Sequence, residues 1–92
     1  MLSIVLTNKM RRDIRLMKKR GKDLEKLQNV LTLLANRKEL SPALRDHKLT
    51  GNLKDFRECH IEPDWLLLYR IEEKELILIA TATGTHADLL GM

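Results

Sequence analysis

The sequence lacks several features that mark common functional classes. Its 92 residues include one cysteine, Cys59, so no disulfide can form within the chain and a reducing cytoplasm is expected. No apolar run approaches the roughly 18 residues that span a bilayer. The apolar N-terminus precedes the first basic cluster, which is the reverse of a signal peptide. Glycine-rich phosphate loops, CxxC and HExxH motifs and nucleophile signatures are also absent. We therefore expect a cytoplasmic protein with no membrane partner and a single domain over residues 1–92.

Charge is unevenly distributed along the chain, although the net charge is only +4. Between Lys9 and Lys26 there are nine lysines and arginines and three acids, whereas from Phe56 onward there are three basic residues and seven acids. A basic half favours a polyanion or an acidic protein as partner. The alternative is that these side chains form only a solvated helix face.

The N-terminal half predicts one strand and two helices. Residues 2–6 form a short apolar run typical of a strand, and Thr7 or Asn8 can cap the helix that follows. The first helix has an apolar stripe, namely Met10, Ile14 and Met17. Gly21 suits the end of this helix because glycine tolerates a positive φ. The second helix is expected over residues 23–36, with Val30 and Leu33 widening an apolar stripe of inward side chains, namely Leu24, Leu27, Leu31 and Leu34. The two helices form an αα-hairpin whose apolar faces need a sheet to cover them.

Three strand-like runs follow a loop over residues 37–53; they cover about 54–60, 64–71 and 75–82. The predicted fold class is α+β: a small antiparallel sheet with an N-terminal strand, the αα-hairpin on one face, a three-strand meander and a short C-terminal helical turn. The second and third runs are apolar at consecutive positions, so both faces of the sheet need covering. Because the hairpin covers one face, the chain ends or another protein must cover the other.

Polar residues are predicted to meet at one edge of this sheet. Residues 61–63 are interpreted as the turn after the first meander strand, because Pro63 has no N–H to give to a ladder. His60 and Asp64 would then form a cross-strand pair with Cβ atoms about 5 Å apart. An imidazole beside a carboxylate is a candidate acid–base pair.

Strand direction brings a second histidine to the same edge. With Ile71 opposite Glu75, the register places Ala82 opposite Asp64. His86 follows four residues later, so the meander topology puts it within reach of the same pair.

Other interpretations of these residues stay open. Spacing leaves the position of His47 undecided. Two histidines and a carboxylate also form a metal-ligand set, but no metal motif supports it, and we expect neither a metal nor a cofactor. Cys59 has the opposite strand parity to His60 and is expected in the core. Trp65 and Tyr69 share a face and are expected in the core as well.

Taken together, these motifs resemble the YafQ-like branch of the RelE toxin superfamily. The matching segments are DHKLTG at 46–51, FRECHIEPDWLLLY at 56–69 and GTHADLL at 84–90, and the order of elements agrees. The resemblance implies a RelE-like fold and the toxin of a bacterial type II toxin–antitoxin module. It also implies a ribosome-dependent endoribonuclease that cleaves mRNA in the A site without a metal, with the ribose 2′-OH as nucleophile. The free toxin is expected to be a monomer, and its antitoxin to be of the ribbon-helix-helix type.

The resemblance further implies roles for particular side chains, since four residues match the family's functional positions: His47, His60, Asp64 and His86. Histidine, with an unperturbed pKa of about 6.5, suits acid–base catalysis near neutrality. His60 or His86 would supply this function. Asp64 would orient an imidazole, and His47 would position the substrate or share the proton transfer.

One departure from the family concerns charge stabilisation. Relatives carry an arginine four residues before the terminal histidine, where this chain has Ala82. Either Lys48, Lys54 or Arg57 substitutes for it, or cleavage is less efficient. Basic residues of the first helix are expected to contact RNA phosphates, namely Arg11, Arg12, Arg15, Lys18 and Lys19. The alternative to a nuclease is a non-catalytic RNA- or protein-binding module, or a degenerate toxin that acts mainly in complex with its antitoxin.

Overall fold

The computed structural model describes residues 1–90, two residues fewer than the predicted domain. Its elements are, in order, β1 (Ser3–Leu6), α1 (Asn8–Lys19), α2 (Leu24–Ala35), β2 (His47–Lys48), β3 (Arg57–Glu62), β4 (Trp65–Glu72), β5 (Ile77–Gly84) and α3 (His86–Leu90). Short 3₁₀ turns at Pro42–Leu44 and Gly51–Leu53 flank β2. Among these residues no helix is long and apolar enough to cross a bilayer.

The five strands form one sheet in the order β1-β5-β4-β3-β2. All neighbours are antiparallel except β1 and β5, which run parallel and are separated in the chain by the αα-hairpin and the strands β2 to β4. The predicted α+β class, the hairpin on one face, the three-strand meander and the C-terminal helical turn are confirmed. β2 and β1 are the two sheet edges, and β2 has only two residues.

The helix ends follow the local sequence signals. The Thr7 hydroxyl accepts the N–H of Met10 at 3.0 Å and caps α1. Gly21 follows α1 with φ of 79°, a conformation that glycine adopts without steric cost. Met10 and Met17 of the predicted stripe are fully buried. Leu33, predicted to widen the apolar stripe of α2, is instead 39% exposed.

The predicted three-residue turn closed by His60 and Asp64 is wrong. β3 continues to Glu62, which pairs with Trp65, so the turn consists of Pro63 and Asp64 alone. A register shift between residues 60 and 62 absorbs the difference. Pro63 does lie in the turn, where its missing N–H costs no ladder bond.

The β4–β5 register also differs from the prediction in two pairs: Ile71 lies opposite Leu78 instead of Glu75, and Ala82 lies opposite Leu68 instead of Asp64. The connecting turn is longer than expected, and Leu76 within it has φ of 56°. As a result, β5 ends before it reaches Asp64. The residues that follow β5 are the ones that arrive beside this turn.

The core lies between the helices and one face of the sheet. Trp65, Leu67 and Tyr69 of β4 point into it, as does Cys59 of β3, and each of the four is at most 1% exposed. The predicted core positions of Cys59, Trp65 and Tyr69 are confirmed. Burial raises the pKa of the Cys59 thiol to about 12, so this cysteine stays protonated and unreactive near neutrality. The opposite face of the sheet carries the candidate site.

Candidate active site

The closest contact in the site joins Asp64 to His86. The Asp64 carboxylate accepts the backbone N–H of His86 at 3.0 Å, and the same oxygen lies 2.6 Å from the ring Nδ1. These two donors lower the pKa of the Asp64 carboxyl. Because a carboxylate only accepts hydrogen bonds, Nδ1 carries the proton and Nε2 is left free to exchange one. The pair is 66% and 36% exposed at its two side chains, so substrate can reach it.

A reciprocal cap fixes the start of α3, where His86 lies. The Asp88 carboxylate accepts the N–H of Thr85 at 2.9 Å, and the Thr85 hydroxyl accepts the N–H of Asp88 at 3.1 Å. Arg20, at the end of α1, donates two hydrogen bonds to Asp88, at 2.6 and 3.2 Å. The arginine holds the pKa of Asp88 well below its usual range. The helical hairpin thus anchors the segment that presents His86.

A second anchor holds the turn that presents Asp64. Glu62, next to this turn, accepts from Lys22 at 3.0 Å and from Lys26 at 2.9 Å. The two lysines lower the pKa of the Glu62 carboxyl. Arg20, Lys22 and Lys26 are therefore each paired with an acidic residue of the same protein.

His60 and His47 complete a row of three imidazoles. The His60 ring centre lies 5.5 Å from that of His86 and 6.4 Å from that of His47. The His47 Nδ1 donates to the Arg45 carbonyl at 2.7 Å, and His60 Nδ1 lies 3.4 Å from the Pro63 carbonyl. All four residues predicted for catalysis therefore lie along one rim, including His47, which spacing alone left undecided.

Glu58 belongs to this rim, and the sequence analysis missed it. Its carboxylate lies 3.7 Å from Nε2 of His47 and 3.6 Å from Nε2 of His60. The residue is only 6% exposed, so a protonated imidazole beside it gains a poorly screened counter-charge. A signal was present in the sequence, because an acid two residues before His60 in a strand must share its face.

The basic residues predicted to stabilise charge or to contact RNA phosphates lie away from the row of imidazoles. Arg57 alternates to the face opposite His60, where its guanidinium donates to Asp46 at 3.3 and 3.4 Å. Lys48 and Lys54 line a shallow cavity beyond β2, together with Arg57 and Phe56. None of these three cations is brought to the row of imidazoles. Of the six basic residues of α1, Lys9 pairs with Asp13 at 3.0 Å. The other five are exposed and make no ion pair within residues 1–90, namely Arg11, Arg12, Arg15, Lys18 and Lys19.

Ala82, where the resemblance led us to expect an arginine, is buried opposite Leu68 on the face that carries His60. It offers no charge to a substrate. A different cation lies near the rim, because Arg45 lines one cavity with His60 and the turn at Pro63. Arg45 takes part in no ion pair within the described residues, and the sequence analysis did not single it out.

Comparison with known proteins identifies the family. A family model described as the YafQ bacterial toxin of type II toxin–antitoxin systems matches residues 2–91. The chain belongs to the YafQ toxin family. The mRNA interferase toxin YafQ of Escherichia coli K12 is 44% identical over 81 residues, which cover 87% of this chain and 86% of that protein. The predicted family, toxin class and endoribonuclease assignment agree with these relatives.

Solved structures of YafQ-family toxins share the fold along nearly the whole chain. A metal-bound toxin from Helicobacter pylori is 43% identical, with a TM-score of 0.92 over 97% of this chain and 99% of that one. YafQ from E. coli BL21(DE3) is 36% identical, with a TM-score of 0.90 over 99% and 100% of the two chains. YafQ in the E. coli DinJ–YafQ complex is 37% identical, with a TM-score of 0.89 and the same coverage. In this YafQ-family chain, residues 1–90 contain no group of three or more histidine, cysteine or acidic side chains placed to hold a metal ion.

Proposed function

We propose that this YafQ-family toxin is a ribosome-dependent mRNA interferase that cleaves mRNA in the A site by metal-independent acid–base catalysis. The observation that carries the proposal is the Asp64–His86 contact at 2.6 Å, with the His60 ring 5.5 Å from that of His86. RNA supplies its own nucleophile, the 2′-OH, so the protein needs a base, an acid and charge stabilisation. The names of the E. coli relatives support the same reaction class.

In the proposed reaction, one imidazole takes the proton of the 2′-OH as its oxygen attacks phosphorus. The bond from phosphorus to the 5′-oxygen breaks, and that oxygen takes a proton from a second group. The products are a 2′,3′-cyclic phosphate and a free 5′-hydroxyl. His60 or His86 supplies the proton transfer, Asp64 stabilises the positive charge on His86, and His47 positions substrate or shares the transfer.

Two carboxylates shape this chemistry in different ways. Asp64 is exposed and bonded directly to one ring, which fixes the tautomer and orientation of that ring. Glu58 is buried, and its carboxylate lies 3.7 Å from Nε2 of His47 and 3.6 Å from Nε2 of His60, so its negative charge faces both rings. The two carboxylates therefore act on different rings: Asp64 orients His86, and Glu58 places a negative charge beside His47 and His60.

Negative charge that develops on the phosphoryl oxygens needs a cation. We infer that Arg45 takes this part, since Ala82 and Arg57 do not offer one to the rim. Its side chain is long, it is free of an ion pair within residues 1–90, and it shares a cavity with His60. Arg45→Ala should then lower the cleavage rate, while Lys74→Ala, an exposed change in the distant β4–β5 turn, should leave it unchanged.

The partners follow from the surface of α1. Its five free basic side chains suit ribosomal RNA phosphates, which would position the toxin without reading sequence. An acidic antitoxin, which we expect to be of the ribbon-helix-helix type, would compete for the same surface. The toxin would act in the cytoplasm as a monomer.

The direct test compares the wild-type toxin with its single-site variants, first by expression in cells and then with purified protein. Expression without the antitoxin should arrest growth, and His60→Ala and His86→Ala should relieve the arrest with Lys74→Ala as a matched control. Purified toxin added to translating ribosomes should yield mRNA ending in a 2′,3′-cyclic phosphate. Chelator should leave this activity intact, and a loss on chelation would refute metal independence.

A non-catalytic RNA- or protein-binding module is the second candidate. Burial of Ala82 at the family's arginine position favours it, because a YafQ-like site without that cation could have lost its activity. Folded wild-type protein that binds ribosomes but leaves mRNA intact, together with normal growth, would establish this alternative.

A further inference from the structure

A second polar cluster lies on the opposite side of the sheet from the row of imidazoles. Its centre is the carboxylate of Asp46, the residue before β2. The Tyr69 hydroxyl donates to Asp46 at 2.6 Å, and the Arg57 guanidinium donates to both carboxylate oxygens at 3.4 and 3.3 Å. We call the three residues Asp46, Arg57 and Tyr69 the Asp46 clamp.

The clamp is built around a buried donor. Tyr69 is 1% exposed, and Asp46 is the acceptor that its hydroxyl finds. A buried hydroxyl without a partner is destabilising, so this contact is strongly favoured once the core has formed. Burial and the neighbouring carboxylate raise the pKa of Tyr69, which keeps the hydroxyl protonated as a donor.

The strand held by the clamp has little else to fix it. β2 contains only His47 and Lys48, lies at the sheet edge, and pairs with β3 through two residue pairs. Arg45, the residue before Asp46, has φ of 48°, so the chain bends sharply just before the clamp. Asp46 therefore ties the start of β2 to the rigid strands β3 and β4.

The clamped residue is adjacent in sequence to a residue of the candidate site. His47 follows Asp46 and lies opposite Glu58 in the sheet. Its ring depends on two contacts, one to the Arg45 carbonyl at 2.7 Å and one to Glu58 at 3.7 Å. A movement of about 1 Å at β2 would disrupt both, and misplacement of that size typically lowers an enzyme's rate about 100-fold.

We propose that Tyr69 and Arg57, acting through Asp46, are positioning residues that hold His47 in the catalytic row. The inference rests on the proposed function, since it assigns Tyr69 and Arg57 a part in RNA cleavage. The proposal also gives a role to Arg57, whose guanidinium donates to Asp46 on the face of the sheet opposite the imidazoles.

A double-mutant cycle tests the proposal. Tyr69→Phe removes only the hydroxyl, and we expect it to lower single-turnover cleavage on translating ribosomes about 10- to 100-fold. In a His47→Ala background the same change should cause no further loss, because the group it positions is gone. Equal losses in both backgrounds, or no loss in the wild type, would overturn the proposal.

Thr83→Val is the matched control for this cycle. It also removes a buried hydroxyl, one that bonds Trp65 rather than the His47 segment. Its effect on the rate should be the same with and without His47. If Tyr69→Phe fails to fold, Asp46→Asn replaces it, since asparagine keeps the size but weakens the bonds from Tyr69 and Arg57.

A spectroscopic measurement separates failure of the clamp from failure of the proposed function. In NMR spectra of the histidine rings, Tyr69→Phe should shift or broaden the His47 resonances and leave those of His86 in place. Unchanged His47 resonances would refute the positioning role even if cleavage fell. Intact mRNA with wild-type toxin would refute the nuclease proposal, while the His47 resonances would still report on the clamp.

Discussion

Replacing Asp64 by asparagine isolates the charge at the centre of the proposed mechanism. Asparagine keeps the size of the side chain and an oxygen that can still accept from the N–H and Nδ1 of His86. The negative charge opposite the imidazolium is lost. A hydrogen bond to a charged group contributes about 1.5–3 kcal/mol and the neutral bond that asparagine keeps about 0.5–1.5 kcal/mol, so about 1–1.5 kcal/mol is lost. Because about 1.4 kcal/mol corresponds to a tenfold change in rate, cleavage should slow by about 5- to 13-fold.

The expected loss for Asp64→Asn is smaller than that for a group that carries the proton, since removing an acid–base catalyst costs about 100- to 10,000-fold. Single-turnover cleavage of mRNA on translating ribosomes measures both. In a His86→Ala background, Asp64→Asn should have no further effect, because its ring partner is absent.

Glu75→Gln serves as the control for this comparison. It neutralises an exposed carboxylate in the β4–β5 turn, away from the imidazoles, and should leave the rate unchanged. An undiminished rate for Asp64→Asn, or the same loss with and without His86, would refute the reasoning from the Asp64–His86 contact.

Three further predictions concern stability and the placement of α3. Thr83→Val strands the buried Trp65 N–H that its hydroxyl accepts at 2.8 Å, and should lower the free energy of unfolding in urea by about 1–3 kcal/mol; Thr83→Ser, which keeps the hydroxyl, should cost less. Gly84→Ala would put a Cβ 2.9 Å from that of Asp88, so α3 must shift, and both cleavage and the thermal midpoint should fall; unchanged cleavage would contradict this. Arg20 lowers the pKa of Asp88, so this pair stabilises the fold above the ordinary carboxyl pKa of about 4, and its contribution disappears as the pH falls below that value. In Arg20→Gln, the urea concentration at the midpoint of unfolding should therefore depend less on pH in this range.

Local sequence signals predicted the elements well, because they depend on neighbours in the chain. Thr7 caps α1, Gly21 ends the first helical segment with a positive φ, and Met10 and Met17 are buried as their spacing predicts. Strand parity placed Cys59 in the core for the same reason. Leu33 is the exception, since the width of an apolar helix face depends on what packs against it.

The meeting of Asp64 and His86 was predicted through a register that proved wrong. The β4–β5 turn is longer than expected, and a register shift between Leu68 and Tyr69 adds one more residue, so Ala82 lies opposite Leu68. In the observed register Leu66 lies opposite Gly84, and the same offset continued past the strand ends puts residue 86 level with residue 64. Meander topology brought the two segments to one edge, and turn geometry then decided which residues met.

The sequence by itself determined the order and type of the elements except β2, which lies within the predicted loop over residues 37–53. It also determined the edge of the sheet at which the polar residues gather and, through short motifs that lie close together in the chain, the family. Tertiary structure alone decided that Glu58 lies between His47 and His60, that Arg57 joins Asp46 on the far face, and that Arg45 shares a cavity with His60. The reason is physical. Caps, stripes and strand parity arise from interactions over a few residues, whereas the partner of a charged side chain depends on register and turn length, which are set only when distant segments pack.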